Sequence, residues 1–241
     1  MERNITIFKR VYKVKKNIWH IQAKEQWNER ANFWHARSQS MWEEGSRRNI
    51  IPFFNQFVPK QSAVLDLGCG DGYGSYKLWQ LDYKVTGVDL SDDMIDLCRD
   101  RLTEDMTHLN FQQADMAHLP FENNTFDSVL AINSLEWTEK PSETFREIGR
   151  VVKPGGYLCF GILGPTAGPR ANSFERLYGE DVIMNTMMPW EFEQLAECEG
   201  YHIIGSEGIY KEAVSDHILG QLPKNLKQSL TFMWLTMLQK Q

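Results

Sequence analysis

Cysteine is scarce in this chain of 241 residues, and no two of its four cysteines form a Cys-x-x-Cys pair. The four lie far apart, at Cys69, Cys98, Cys159 and Cys198, in apolar or helical contexts that predict reduced, packed thiols. The six histidines show no metal-ligand spacing. A chain of this length can bury about 70% of its unfolded surface, so it needs neither disulfides nor a metal to fold. We expect no metal site.

Long hydrophobic runs are also missing. No apolar stretch reaches the roughly 20 residues that a membrane span requires, and no signal peptide with a cleavage site is evident. We therefore expect one domain with additions, cytoplasmic and without a membrane span.

Positive charge is rare outside the N-terminus. The formal net charge is −6, yet residues 1–24 carry seven Lys or Arg and one acid, which leaves a net charge of −12 on the rest. An acidic body disfavours a nucleic-acid-wrapping enzyme. Residues 1–23 form a basic N-terminal arm that could contact an anionic surface or substrate, or extend into solvent; we favour the extension.

Glycine is concentrated where a buried strand ends. Residues 63–74 read Ala-Val-Leu-Asp-Leu-Gly-Cys-Gly-Asp-Gly-Tyr-Gly, which predicts a strand buried on both faces, a glycine loop and a helix N-terminus. The dinucleotide fingerprint requires a glycine at the sixth position from Gly68, where Tyr73 stands. An acid, Asp66, lies in the strand end, and it suits a cationic ligand better than a pyrophosphate.

This Asp-x-Gly-x-Gly-x-Gly stretch resembles motif I of the class I S-adenosylmethionine (SAM)-dependent methyltransferases. Two further motifs are typical of their small-molecule "type 11" branch. They are Leu-Pro-Phe followed by Phe-Asp within residues 119–127, and Val-Lys-Pro-Gly-Gly-Tyr-Leu at residues 152–158. The resemblance implies SAM as the cofactor. A tight turn without a ligand is the competing interpretation of the glycine loop.

The order of predicted elements favours an α/β fold. Strand and helix patterns alternate from residue 63, which predicts a doubly wound, Rossmann-like sheet. The apolar run 229–238 lacks alternation and predicts a strand buried on both faces, with a helix as the alternative. The resemblance implies seven mostly parallel strands in the order 3-2-1-4-5-7-6, the last of them antiparallel, with an N-terminal helical cap.

Asp89 closes the second predicted strand, 21 residues beyond Gly68, where an acid can accept hydrogen bonds from both ribose hydroxyls. Helix capping is its alternative role, but Ser91 is the better cap. The resemblance further implies that Asp115 accepts from the adenine amino group, that Met116 packs on the ring and that Asn133 contacts SAM. The cofactor-binding candidates are Asp66, Gly68, Cys69, Gly70, Asp89, Leu90, Asp115, Met116 and Asn133.

The substrate-binding part of the site is predicted from aromatic residues and from one long loop. Residues 24–60 form a tryptophan-rich helical cap, with a second helix over 46–58, and residues 61–241 form the SAM-binding domain. A Gly/Pro-bearing insertion at 164–188 is long enough for a substrate lid. Candidate substrate residues are Trp34, Arg47, Trp137 and Arg170. Packing of the cap on the sheet, without a functional role, is the alternative.

We expect SAM-dependent methyl transfer to a small-molecule nucleophile by in-line displacement. Neither the Asn-Pro-Pro-Tyr motif typical of amino-group methylation on nucleic acids nor the cysteine pair of pyrimidine-carbon methylation is found at its expected place. No general base is evident: His35 and His118 lie near plausible site edges, and the other histidines look peripheral. The alternatives are a Rossmann-like NAD(P)-dependent oxidoreductase and an inactive SAM-binding module. The sequence indicates no oligomeric state.

Overall fold

Seven strands form one sheet in the order β3-β2-β1-β4-β5-β7-β6. The structure, a computed structural model, describes the backbone of residues 2–241 and the side chains of residues 19–241. The strands are β1 (Ala63–Leu67), β2 (Lys84–Asp89), β3 (Leu109–Gln113), β4 (Phe126–Ile132), β5 (Val152–Leu163), β6 (His202–Tyr210) and β7 (Thr231–Gln239). The pairs among β1 to β5 are parallel, and β7 is antiparallel to both β5 and β6. The predicted α/β class and strand order are confirmed.

Helices lie on both faces of this sheet, as a doubly wound sheet requires. They are α1 (Glu2–Glu43), α2 (Ile50–Phe54), α3 (Tyr73–Trp79), α4 (Asp92–Asp100), α5 (Pro141–Val151), α6 (Pro189–Cys198), α7 (Asp216–Gln221) and α8 (Lys224–Ser229), with 3-10 segments at Leu135–Trp137 and Gly168–Tyr178. No helix of the described chain is both long and apolar enough to cross a membrane.

Strand β1 is buried on both faces, as its apolar run predicts. Val64 belongs to one core cluster, whereas Leu65 and Leu67 belong to the cluster on the opposite face. Strand β7 divides in the same way, with Leu235 in the first cluster and Leu238 in the second. The prediction of a buried strand at the C-terminal end is therefore confirmed over the helical alternative.

The N-terminal region differs from its prediction in two ways. Helix α1 runs continuously across the predicted boundary between the basic arm and the cap at residues 23 and 24. The side chains of residues 1–18, which include six of the seven Lys or Arg of residues 1–24, lie outside the described residues. The second cap helix is only Ile50–Phe54, shorter than the predicted 46–58. Its Pro52 is tolerated because the first-turn N–H groups of a helix have no helical partner.

Candidate active site

A cleft opens at the carboxyl ends of β1, β2, β3 and β4, where doubly wound sheets bind ligands. Its volume is about 820 Å³ with the open solvent of its mouth included. One wall is formed by the strand ends and the segments that follow them, and the opposite wall by α1 and the segment that follows it. The first wall contains Gly68, Gly70, Val88, Asp89, Leu90, Met94, Ala114, Asp115, Met116, Ile132, Asn133, Ser134, Trp137 and Thr138. The second wall contains Trp19, His20, Ala23, Trp27, Trp34 and Arg47.

The glycine loop after β1 is held by backbone hydrogen bonds to β2. Its Gly68 and Gly70 have φ angles of 68° and 56°, in the left-handed region that favours glycine. The N–H groups of Gly68 and Cys69 donate to the Val88 carbonyl at 2.8 and 3.0 Å. A Cβ added to Gly70 would lie 3.4 Å from Trp34 Nε1. The loop therefore leaves a narrow space between its backbone and the cap.

Asp89 connects this loop to the second strand. One carboxylate oxygen accepts from the Gly70 N–H and the other from the Ser91 N–H, both at 2.9 Å. Burial raises the pKa of Asp89 to about 6. Ser91 caps α4 by accepting from the Met94 N–H, so Asp89 is not needed as the side-chain cap. The Asp89 carboxylate lies on the cleft wall. Its role as the acceptor of hydrogen bonds from the ribose stays a prediction.

Asp115 and Met116 lie together further along the cleft. His20 Nδ1 is 3.0 Å from an Asp115 carboxylate oxygen, and the Ala117 N–H donates to the other at 2.9 Å. Burial alone raises the pKa of Asp115, but these contacts outweigh it and hold that pKa below its usual range. The expectation that His20 is peripheral was wrong, because α1 extends over the strand ends and brings His20 into the cleft.

Four tryptophans, Trp19, Trp27, Trp34 and Trp137, line the cleft. Trp27 meets Trp137 edge to face at 5.0 Å between ring centroids and Trp34 at 6.1 Å. Trp19 Nε1 donates to the Trp137 carbonyl at 3.0 Å, and Trp137 Nε1 donates to the Asn133 carbonyl at 2.9 Å. The indole donors thus fix α1 to the exit of β4. Trp19 was missed in the sequence because it falls in the basic arm.

Three of the predicted site residues do not line the cleft. Asp66 lies beneath the glycine loop and accepts from Ser75 Oγ at 2.6 Å. Cys69 turns its thiol towards Cys98, 4.0 Å between sulfur atoms, so only its backbone belongs to the loop. Arg170 donates to three carbonyls, those of Leu163, Gly164 and Met187, and it fastens the 164–188 segment to the end of β5.

Burial raises the pKa of Asp66 to about 6, and this shift gives a stability prediction. Because the folded pKa exceeds the ordinary value of 3.8, the folded state binds the extra proton between these values, and stability falls as pH rises through that window. We expect Asp66→Asn to reduce this fall by about 1–3 kcal/mol. Urea unfolding of both proteins at pH 5 and pH 8 checks it. An identical pH dependence in the two proteins would contradict the assignment.

A buried carboxylate that sequence reasoning missed joins α1 to the glycine loop. Asp71 accepts from Ser38 Oγ at 2.6 Å and from Arg101 Nη2 at 3.1 Å, and it pairs with His35 Nδ1 at 2.9 Å. Its side chain is only 3% exposed. Ser38 and His35 lie more than 30 residues from Asp71 in sequence, so no local pattern indicates the contact.

We expect Asp71→Asn to loosen α1 from the loop, because an amide replaces the carboxylate that Ser38 and His35 of α1 contact, and it also leaves the Arg101 guanidinium without its anion. Breaking one side of a buried ion pair costs about 3–5 kcal/mol. Hydrogen exchange over residues 30–43 should accelerate and the midpoint of urea unfolding should fall. The matched control is Asp96→Asn, which removes an exposed i,i+3 pair with Arg99 and should change little. Equal effects of the two substitutions would count against the role of Asp71.

Comparison with known proteins finds methyltransferases similar to this chain. Residues 65–160 match the family model described as "Methyltransferase domain". A ubiquinone biosynthesis O-methyltransferase of Coxiella burnetii is 28% identical over 169 residues, which cover 64% of this chain and 70% of that protein. The biotin biosynthesis bifunctional protein BioHC of Teredinibacter turnerae is 29% identical over 151 residues, 58% of this chain; the match spans only 26% of that longer protein.

The fold is also shared with solved structures. A Haloferax volcanii protein, solved in complex with the Trm112 methyltransferase activator, superposes with a TM-score of 0.66 at 21% identity, over 88% of this chain and 96% of that one. The match to the methyltransferase model runs from β1 into β5. It therefore includes the glycine loop and the acid that ends β2. Over residues 65–160 the chain is similar to the methyltransferase-domain family, and these similarities support a class I SAM-dependent methyltransferase.

Proposed function

We propose that this protein transfers the methyl group of SAM to a small-molecule acceptor held beneath α1. The observation that carries the proposal is the cleft itself, where strand-end acids and the glycine loop face a tryptophan wall. Its named relatives in ubiquinone and biotin biosynthesis support a small acceptor. The body of the chain is acidic, which favours a small molecule over a nucleic acid.

The residues present fit SAM. Gly70 leaves room for a ligand beside the main chain, Gly68 lies on the cleft wall, and Asn133 Oδ1 is a buried acceptor with no hydrogen-bond partner within the described part of the chain. Asp89 and Asp115 are acceptors for the ribose and the adenine. When bound, SAM supplies an electrophilic methyl group.

The protein's contribution is alignment and exclusion of water. Trp27, Trp34 and Trp137 give the acceptor side rigid apolar walls, and tryptophan faces favour a nearby cation. Holding the acceptor atom in line with the methyl carbon can supply about 7–11 kcal/mol, so this chemistry does not depend on a strong base. The proposed lid at 164–188 stands beside this wall, because Asn185 Nδ2 donates to the carbonyls of Leu135 and Thr138.

Two experiments test the proposal. In calorimetry, SAM and S-adenosylhomocysteine (SAH) should bind and NAD should not. With methyl-labelled SAM and a panel of metabolites, label should appear in a low-molecular-weight product. Label found only in added RNA or protein would contradict the acceptor class, and NAD binding without SAM binding would contradict the enzyme class.

A further inference from the structure

Two indole rings stand at nearly a right angle in the cleft. The rings of Trp27 and Trp137 have an interplanar angle of 85° and centroids 5.0 Å apart, and both residues line the cleft. Trp27 belongs to α1, whereas Trp137 ends the 3-10 segment that follows β4. Rings in this edge-to-face arrangement leave a corner where one ligand atom can contact both faces. This pair, Trp27 and Trp137, is the indole corner.

The tryptophans of the cleft already contact cations. The guanidinium carbon of Arg30 lies 5.8 Å from the ring centroid of Trp27, and that of Arg47 lies 4.7 Å from the centroid of Trp34. Arg30 is not one of the lining residues, so it covers Trp27 from outside the cleft. Contact between a positive charge and an indole face is therefore an interaction that this wall makes without a ligand.

The charges near the indole corner favour a positive ligand. Asp89 and Asp115 line the cleft, with Arg47 as the opposing charge. Burial raises the pKa of Asp89 only to about 6, and the pKa of Asp115 is held below its usual range despite burial. Both carboxylates are thus ionised at neutral pH. Residues 25–241 add a net charge of −12, which attracts cations from a distance.

These titratable groups are poorly placed to take a proton from an acceptor. Under the proposed function, Asp115 and His20, 3.0 Å apart, lie at the adenine end of the cofactor. Both oxygens of Asp89 already accept from backbone N–H groups. An alcohol or a phenol must lose a proton to react, which calls for a base. A carboxylate needs no base, but the indole faces and the two acids disfavour an anion.

A neutral amine needs neither a base nor a cation. The nitrogen lone pair forms the bond to the methyl carbon, while the bond from that carbon to sulfur breaks and leaves its electron pair on sulfur. SAH is formed, and the positive charge passes from sulfur to nitrogen. The product leaves as an ammonium ion, so no proton is lost during transfer. Indole faces stabilise the charge that develops on nitrogen.

We propose that the methyl acceptor is an amine whose nitrogen lies in the indole corner. This inference rests on the proposed function, because it names the acceptor class of the same cleft. It assigns different roles to the two walls: the strand ends hold the cofactor, and Trp27 with Trp137 selects the charge of the product.

The test measures charge preference on the SAH-loaded protein, which imitates the state after transfer. Choline and 3,3-dimethyl-1-butanol share one shape, but only choline is charged, and calorimetry measures the affinity for each. The wild-type protein should bind choline about tenfold more tightly, or better. Trp27→Leu should remove the preference, and Trp27→Phe should keep part of it. The control is Trp190→Leu, because Trp190 lies in α6, is 38% exposed and does not line the cleft.

A second readout follows methyl-labelled SAM into a panel of amines, phenols and carboxylic acids, and label is expected in the amines. Circular dichroism checks that the variants fold. Equal affinity for the two probes, binding of neither, or a preference that survives in folded Trp27→Leu would overturn the inference. Label in phenols or acids with none in amines would also overturn it, while the proposed function would stand.

Failure of the wild-type protein to bind SAH or SAM would instead overturn the proposed function. The probes can then be compared on the ligand-free protein. A preference for choline that Trp27→Leu removes and Trp190→Leu keeps would still support a cation site in the indole corner.

Discussion

Replacement of Gly70 by valine is expected to abolish cofactor binding while the protein stays folded. Gly70 has a φ of 56°, and a β-branched residue in this left-handed region costs about 1–2 kcal/mol or more. The larger effect is steric, because even the Cβ would lie 3.4 Å from Trp34 Nε1, and the valine methyl groups extend further into the space between loop and cap. SAH titration should show no binding, and circular dichroism should show a native spectrum.

The chain offers a control that separates backbone strain from blocked access. Gly155 has a φ of 75° in the turn within β5, and an added Cβ there meets no atom within 4 Å. Gly155→Val should therefore lose a similar amount of stability and still bind SAH. Gly70→Ala should lie between the wild-type protein and Gly70→Val. Normal binding by Gly70→Val would show that the ligand does not approach this part of the main chain.

Most of the sheet could be predicted because its signals are local. The buried run of β1 and its glycines lie within twelve residues, and the acid at Asp89 stands where β2 ends. Ser91 caps α4 through an oxygen three residues from its donor. Each such signal depends on neighbours in sequence, so a single sequence contains it.

The opposite wall of the cleft could not be predicted in the same way. Trp19 reaches Trp137 across 118 positions, and His20 reaches Asp115 only because α1 continues without a break. The helical spacing of Trp27 and Trp34 indicates one face but not what that face covers. Arg170 is an example of the converse error: a cation in a long loop suggested a substrate contact, whereas it binds three backbone carbonyls.

Asp89 was predicted as a ribose acceptor, and the structure gives it a second task. Its carboxylate also accepts from the Gly70 N–H, so it holds the glycine loop in the conformation that leaves space for the ligand. Removal of the side chain would leave that N–H group without its acceptor. The two tasks should therefore be lost together.

We expect Asp89→Ala to weaken SAM binding by about 1.5–3 kcal/mol, because hydrogen bonds to a charged carboxylate are lost. This corresponds to a loss of affinity of roughly ten- to a hundredfold. Asp89→Asn separates the tasks: its amide oxygen can still accept one hydrogen bond, so it should bind SAM more tightly than the alanine variant. The control is Asp93→Ala, which removes an exposed acid of the first turn of α4 and should leave the affinity unchanged. An unaltered dissociation constant for Asp89→Ala in calorimetry would mean that the ribose does not lie at the end of β2.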